Sequence, residues 1–271
     1  MTRKSIPAVR AQRARFKRRL LAWFRRDGRD LPWRRTRDAY AILVSEVMLQ
    51  QTQVARVLER YGPWLERWPT PAALAAAPTA DVLRAWSGLG YNRRALSLQK
   101  AARRVVELGE FPRDIAGLEQ LPGIGPYTAR AIACFAFGAQ VSALDTNVRR
   151  VLERSLGTTD VAPPPGRAWD WNQALFDLGA QVCIARVPRC EVCPLAELCP
   201  SRGQTFAPLR RQSRFEGSRR QRRAALVREL AEGPRGDDGY DQDVVESLLA
   251  DGLTVRRADG LLALPEETSA P

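Results

Sequence analysis

The chain has 271 residues, 43 of them Lys or Arg against 30 Asp or Glu, for a net charge of +13, and it contains no histidine. That length makes about one or two domains, and an apolar fraction of 45% supplies a core, which excludes a disordered tail. The missing imidazole excludes histidine bases, Ser-His-Asp triads and histidine metal sites. It leaves carboxylates, tyrosine, cysteine and three lysines (Lys4, Lys17, Lys100) for chemistry.

Residues 1–17 are basic (Arg3, Lys4, Arg10, Arg13, Arg15, Lys17) and lack the apolar run of a signal peptide, so a cytoplasmic protein is expected. Ala39–Trp68 carries apolar residues three and four apart, among them Val44, Val47, Met48, Val54 and Val57; Pro69 and Pro71 end this helical pattern. Similar patterns follow at Asp81–Trp86, Arg93–Leu108, Asp114–Leu121, Pro126–Phe137, Asn147–Leu156 and Trp169–Val182, separated by Gly/Pro punctuation. No sustained two-residue alternation competes, and the fold class is all-α. The uncharged run Ala131–Leu144 is only 14 residues long, too short to span a bilayer, so no membrane partner is expected.

Ser201–Arg223 is polar and basic and reads as a linker, placed at 201–221 between a domain at 1–200 and a small element at 222–271. In that element Arg222–Glu232 and Asp241–Asp251 read as helices and Thr254–Leu264, with its Asp259-Gly260 turn, as a hairpin, together a winged-helix-like piece. Charge divides unevenly: residues 1–230 are net +20 and residues 231–271 net −7. The acidic end argues against a strong DNA grip there and for a structural or partner-contacting role. Over the whole chain 40 of the 43 basic residues are arginine, whose planar fork suits phosphate; such a charge suggests nucleic acid or an anionic surface, and nucleic acid is the expected partner.

Four of the five cysteines, Cys183, Cys190, Cys193 and Cys199, are spaced C-x6-C-x2-C-x5-C. In a cytosolic chain they suit a soft metal centre, zinc or an iron–sulfur cluster, better than disulfides, and the spacing is not that of paired zinc knuckles. Cys134, in an apolar run, reads as core. Leu121-Pro-Gly-Ile-Gly-Pro126 lies between two helical patterns. Gly123 and Gly125 permit a tight turn whose bare N–H groups suit a phosphate, and Pro126 suits the first position of the next helix. Asp145 can cap the helix after it. Glu46, on an apolar helix, is expensive to bury without a partner or a function.

The turn at 121–125, Asp145 and the cysteine spacing together resemble the helix-hairpin-helix DNA glycosylases, the superfamily of endonuclease III and the MutY-type adenine glycosylases. The resemblance spans residues 15–200 and implies a two-lobed helix-hairpin-helix glycosylase fold whose loop at 183–199 holds a structural [4Fe–4S] cluster on Cys183, Cys190, Cys193 and Cys199. Tyr127 stands where bifunctional members carry a Schiff-base lysine, which implies a monofunctional enzyme that leaves an abasic site. Ser45-Glu-Val-Met-Leu-Gln-Gln-Thr-Gln53 resembles the MutY type, implying Glu46 as the acid that protonates adenine and Gln51 as the side chain inserted beside the opposite base. By the same resemblance Asp145 stabilises the sugar cation with Tyr127 and Asn147 assisting, Trp33 and Arg34 lie near the flipped base, Gln173 stands at the base-contacting position, and Tyr91 is the wedge.

The implied substrate is adenine mispaired with 8-oxoguanine or guanine in double-stranded DNA, processed by a monomer at the nucleoid. Gly88-Leu-Gly-Tyr-Asn92 and Leu144-Asp-Thr-Asn-Val148 depart from the MutY pattern, and about 70 residues after Cys199 leave no room for the usual Nudix-like domain. Excision of thymine, uracil or a 5-substituted uracil on the same scaffold is the alternative. A non-catalytic iron–sulfur DNA-binding protein and a zinc transcription factor are more distant ones.

Overall fold

The basic N-terminus is helical as well as charged. In the computed structural model, which describes residues 6–207 and 214–266, α1 runs Ile6–Asp27 and buries Phe16, Leu20, Leu21 and Trp23 while its arginines face outward. A short turn of 3-10 helix at Pro32–Arg34 leads to α2 (Ala39–Leu49), α3 (Val54–Arg67), α4 (Pro71–Ala76), α5 (Thr79–Trp86) and α6 (Arg93–Leu108). Then come α7 (Ile115–Glu119), α8 (Pro126–Phe137), α9 (Thr146–Leu156) and α10 (Ala168–Gln181). After the cysteine loop lie α11 (Arg219–Glu232), α12 (Gln242–Ala250) and the strands β1 (Val255–Arg256) and β2 (Leu262–Ala263), antiparallel with Val255 opposite Ala263 and Arg256 opposite Leu262. The fold is all-α with this one small hairpin.

Side-chain caps set many of the helix starts. Asp38, Thr70, Asp114, Asp145, Ser218 and Asp241 each accept a first-turn N–H of α2, α4, α7, α9, α11 and α12 respectively. Left-handed Gly109 and Gly157 end α6 and α9. The pattern over Ala39–Trp68 is two helices and not one. α2 is buried on every side from Tyr40 to Met48, whereas α3 is amphipathic and buries Val57, Tyr61 and Trp64. One straight helix cannot meet both demands, and the chain breaks at Gln50–Gln53, with Gln51 at φ 53°.

The described residues fall into two compact units, 6–37 with 126–207 and 38–125 with 214–266. The first unit packs α1, α9 and α10 around Phe16, Leu20, Val151, Leu152, Trp171 and Leu175, with Phe16 edge-on to Trp171 at 5.9 Å. The second lays α4 and α5 against α6 and stacks Trp64 edge-on between Trp68 and Trp86. The C-terminal helices and hairpin belong to this unit. Arg84 donates to the Ala231 carbonyl, Arg93 pairs with Asp251, and the Ala80 N–H donates to the Pro265 carbonyl. No helix among the described residues is long and apolar enough to cross a membrane.

Candidate active site

In the first unit, Asp145 is the N-cap of α9. One carboxylate oxygen accepts the Val148 N–H at 2.6 Å and the other accepts from the Asn147 amide at 3.0 Å. The Asn147 carbonyl oxygen in turn accepts from Arg150 at 2.8 Å, and Arg150 donates onward to the carbonyls of Gly179 and Cys183, both at 2.8 Å. A continuous run of hydrogen bonds therefore joins the first cysteine of the loop to Asp145. The segment ahead of Asp145 is fixed by Asn172, fully buried in α10, which accepts from the Ala143 N–H and donates to the Val141 carbonyl. Gln173, next on that helix, is also buried. Tyr127, in the first turn of α8, lies edge-on to Phe176 with centroids 6.0 Å apart.

Trp33 is buried within the 3-10 turn. The guanidinium of Arg34 is turned inward, with its side chain only 6% exposed. It grips both oxygens of the fully buried Asp177 at 2.7 and 2.9 Å and lies over the Phe24 ring. Arg29 completes the triad through its backbone N–H and its side chain. Burial works against the Asp177 charge, but Arg34, then Arg29, outweigh it and hold the carboxyl below the ordinary carboxylate range.

Cys183, Cys190, Cys193 and Cys199 line one small cavity with Arg154, Arg189 and Arg202 and with no carboxylate or imidazole. Two turns of 3-10 helix, Cys190–Val192 and Ala196–Leu198, curl the loop so that the thiols face inward. Arg154, one turn beyond Arg150 on α9, clamps the loop by donating to the carbonyls of Ile184 and Ala185 and toward the Cys183 sulfur, while its guanidinium lies over the Phe206 ring. Burial pushes the Cys193 thiol up to about 11, with the three other sulfurs adding to the shift. Among the described residues no group of three or more ligating side chains converges on a single metal ion.

The second unit carries the remaining residues. Glu46 is 5% exposed on α2, among Leu43, Val44, Val47 and Met48. α2 ends at Gln50, and Gln51 then takes φ 53°; Tyr91 takes φ 48°, and these are the two non-glycine residues with positive φ among those described. Arg94 ties the two strained turns together. Its guanidinium donates to the carbonyls of Val47 and Met48 at the end of α2, to the Thr52 hydroxyl, and to the carbonyls of Leu89 and Gly90. Burial lowers its pKa to about 10. In the turn after α7, Gly123 has φ 77°, and a Cβ there would sit 2.6 Å from that of Ser97, so only glycine fits. Gly125 has nothing within 4 Å of its Cβ position, leaving its face open.

Arg94, Arg150, Arg154 and Asp177 escaped the sequence reading. Asp177 sits in the apolar run Ala174-Leu-Phe-Asp-Leu178, the same signal that singled out Glu46. The arginines carry no such mark in a chain so rich in arginine.

This combination defines a class. Residues 44–166 match the family described as HhH-GPD superfamily base excision DNA repair protein, and the chain belongs to that superfamily. It is 45% identical over 282 aligned residues to the adenine DNA glycosylase of Mycolicibacterium smegmatis, covering 92% of this chain and 95% of that relative. Among solved structures it is similar to a thermostable thymine-DNA glycosylase, with TM-score 0.66 and 31% identity over 71% of this chain and 97% of that one. It is also similar to endonuclease III in a non-covalent DNA complex, with TM-score 0.60 and 26% identity over 73% and 96% of the two chains.

Proposed function

We propose that the protein is a monofunctional glycosylase that hydrolyses the N-glycosidic bond of adenine flipped out of a duplex, from a mispair with 8-oxoguanine or guanine. The observation that carries this reading is the burial of Glu46, the one carboxylate within α2, on the helix that runs into the strained Gln51. A buried carboxyl placed beside a purine leaving group can act as the general acid that its departure requires. Glu46 gives its proton to the base as the C1′–N bond breaks. The Asp145 carboxylate, oriented by the Val148 N–H and by Asn147, stabilises the positive sugar, and water adds to its C1′. With Tyr127 where a Schiff-base lysine stands in bifunctional members, the product is an abasic site. Trp33 and Gln173 shape the base pocket, Arg34 acts by fixing Trp33's turn through Asp177, and Gln51 and Tyr91 fill the gap that flipping leaves.

The cavity's donor set of four cysteine sulfurs fits a [4Fe–4S] cluster, which Cys183, Cys190, Cys193 and Cys199 would hold. When bound, the cluster cross-links the loop. The enzyme acts as a monomer in the cytoplasm, on double-stranded DNA.

The thymine-DNA glycosylase likeness favours a pyrimidine as the second reading. Against it stands the adenine DNA glycosylase of Mycolicibacterium smegmatis, aligned over 92% of this chain and 95% of its own length. Duplexes with A opposite 8-oxoguanine, A:G, T:G, U:G and 5-hydroxymethyluracil decide it, scored for strand breaks with and without hot alkali. Alkali-dependent breaks confined to adenine are expected, and Glu46→Gln should abolish them while duplex binding persists. Breaks confined to a pyrimidine, or full activity in Glu46→Gln, overturn the reading.

A further inference from the structure

Within the second unit, a groove of about 1110 Å³ opens beside Gln51 and Tyr91. α3 and the turn holding Tyr91 make one wall, and α11 with Phe215 ahead of it makes the other. Seven arginines and one carboxylate, Glu59, line it. Asp251 holds Arg93 and Arg223, and backbone carbonyls hold Arg94, so these three are fixed in place. Arg228 is exposed and has no acidic partner among the described residues, and Phe215 is 48% exposed.

Segment charge hides this surface. The C-terminal residues are net acidic, yet α11 carries Arg219, Arg220, Arg222, Arg223 and Arg228 against Glu229 and Glu232. The aspartates beyond it brace those arginines, as in Asp241 with Arg222 and Asp251 with Arg223. A cationic groove with an apolar floor and an exposed ring at its edge suits a polynucleotide, whose phosphates meet guanidinium and whose bases offer faces for stacking.

We propose that α11 and Phe215 form the far wall of a channel for the DNA strand opposite the excised base. The inference rests on the proposed function at one point, that Gln51 fills the space of a flipped base. A side chain in that space faces the base left unpaired, so a groove opening from Gln51 and Tyr91 receives the strand that carries that base. The C-terminal element then supplies contacts to the opposite strand.

The test uses the full chain with Phe215 replaced by the photo-cross-linker benzoylphenylalanine, and an A:8-oxoguanine duplex with each strand labelled in turn. Cross-linking to the 8-oxoguanine strand is expected; cross-linking to the adenine strand alone, or to neither, overturns the proposal. In parallel, Arg228→Glu should weaken duplex binding and reduce the slope of log affinity against log salt by about 1, with Arg228→Lys restoring both. An unchanged slope and affinity in Arg228→Glu, with wild-type thermal melting, overturns it too. The two readings fail separately. Opposite-strand cross-links from a protein that releases no base would defeat the proposed function alone, and base release without such cross-links would defeat the channel alone.

Discussion

The Asp145 carboxylate caps α9, and in the proposed function it also stabilises the sugar cation; the two roles separate experimentally. As a cap it needs only an oxygen for the Val148 N–H, which asparagine also supplies; as a stabiliser of the sugar cation it needs the negative charge. Asp145→Asn should therefore melt within a few tenths of a kcal/mol of wild type and lose base release by about 10²-fold or more. A large loss of stability with activity retained would mean that Asp145 is a cap alone. Asp177 makes the opposite case, a buried charge that touches no reacting group. Its folded carboxyl lies below the ordinary range, so its stabilisation is complete above the unfolded value and is lost as pH falls through the folded one. Asp177→Asn should cost about 3–5 kcal/mol by stranding Arg34 and Arg29, and should flatten the acid limb of the stability profile. An acid limb as steep as that of wild type in the variant would place the acid sensitivity elsewhere.

Among the elements, the break between α2 and α3 matters most, because it puts Glu46 and Gln51 on one short stretch while turning Gln51 out of the helix. Arg94 holds that break and the Tyr91 turn with one guanidinium. Lysine keeps the charge but lacks the fork. Arg94→Lys should then cost about 1.5–3 kcal/mol of stability and weaken duplex affinity, as read by calorimetry and by titration with labelled duplex. Wild-type affinity in a variant that melts lower would restrict Arg94 to holding the fold.

Legibility followed the same line. α6, whose burial is one-sided, was readable to the residue from apolar spacing, α8 from Pro126 at its start and the apolar run that follows, and the terminal hairpin from its Asp-Gly turn. The α2–α3 break was not, because an apolar run that continues through a change of buried face has the same spacing as one long helix. α1 was legible only as charge, since its apolar residues are sparse among arginines. Glu46, Asp145 and the four cysteines stood out by being costly or rare where they sit. Arg94 and Arg150 did not, since their roles lie in backbone carbonyls that a sequence pattern cannot show.

At the scale of the whole molecule, the net charge of +13 is organised and not merely large. The acidic residues near the C-terminus meet arginines directly, as Asp251 does with Arg93 and Arg223 and Asp237 with Arg256, so the excess of guanidinium elsewhere is left to face a polyanion. Binding and chemistry should then answer differently to salt. Exposed arginines act through counterion release, and with about six or more phosphate contacts duplex affinity should fall about 10³-fold or more between ~50 and ~200 mM salt. Glu46 is buried and Asp145 is held by short hydrogen bonds, so salt should reach weakly the two groups to which the proposed mechanism assigns the chemistry. The rate of base release from duplex saturated with enzyme should stay nearly constant over the same range. Single-turnover kinetics beside binding titrations at each salt concentration measure both. A rate that fell as steeply as the affinity would show that the surface field takes part in breaking the bond, whereas a shallow affinity slope would show that the arginine excess does not face phosphate.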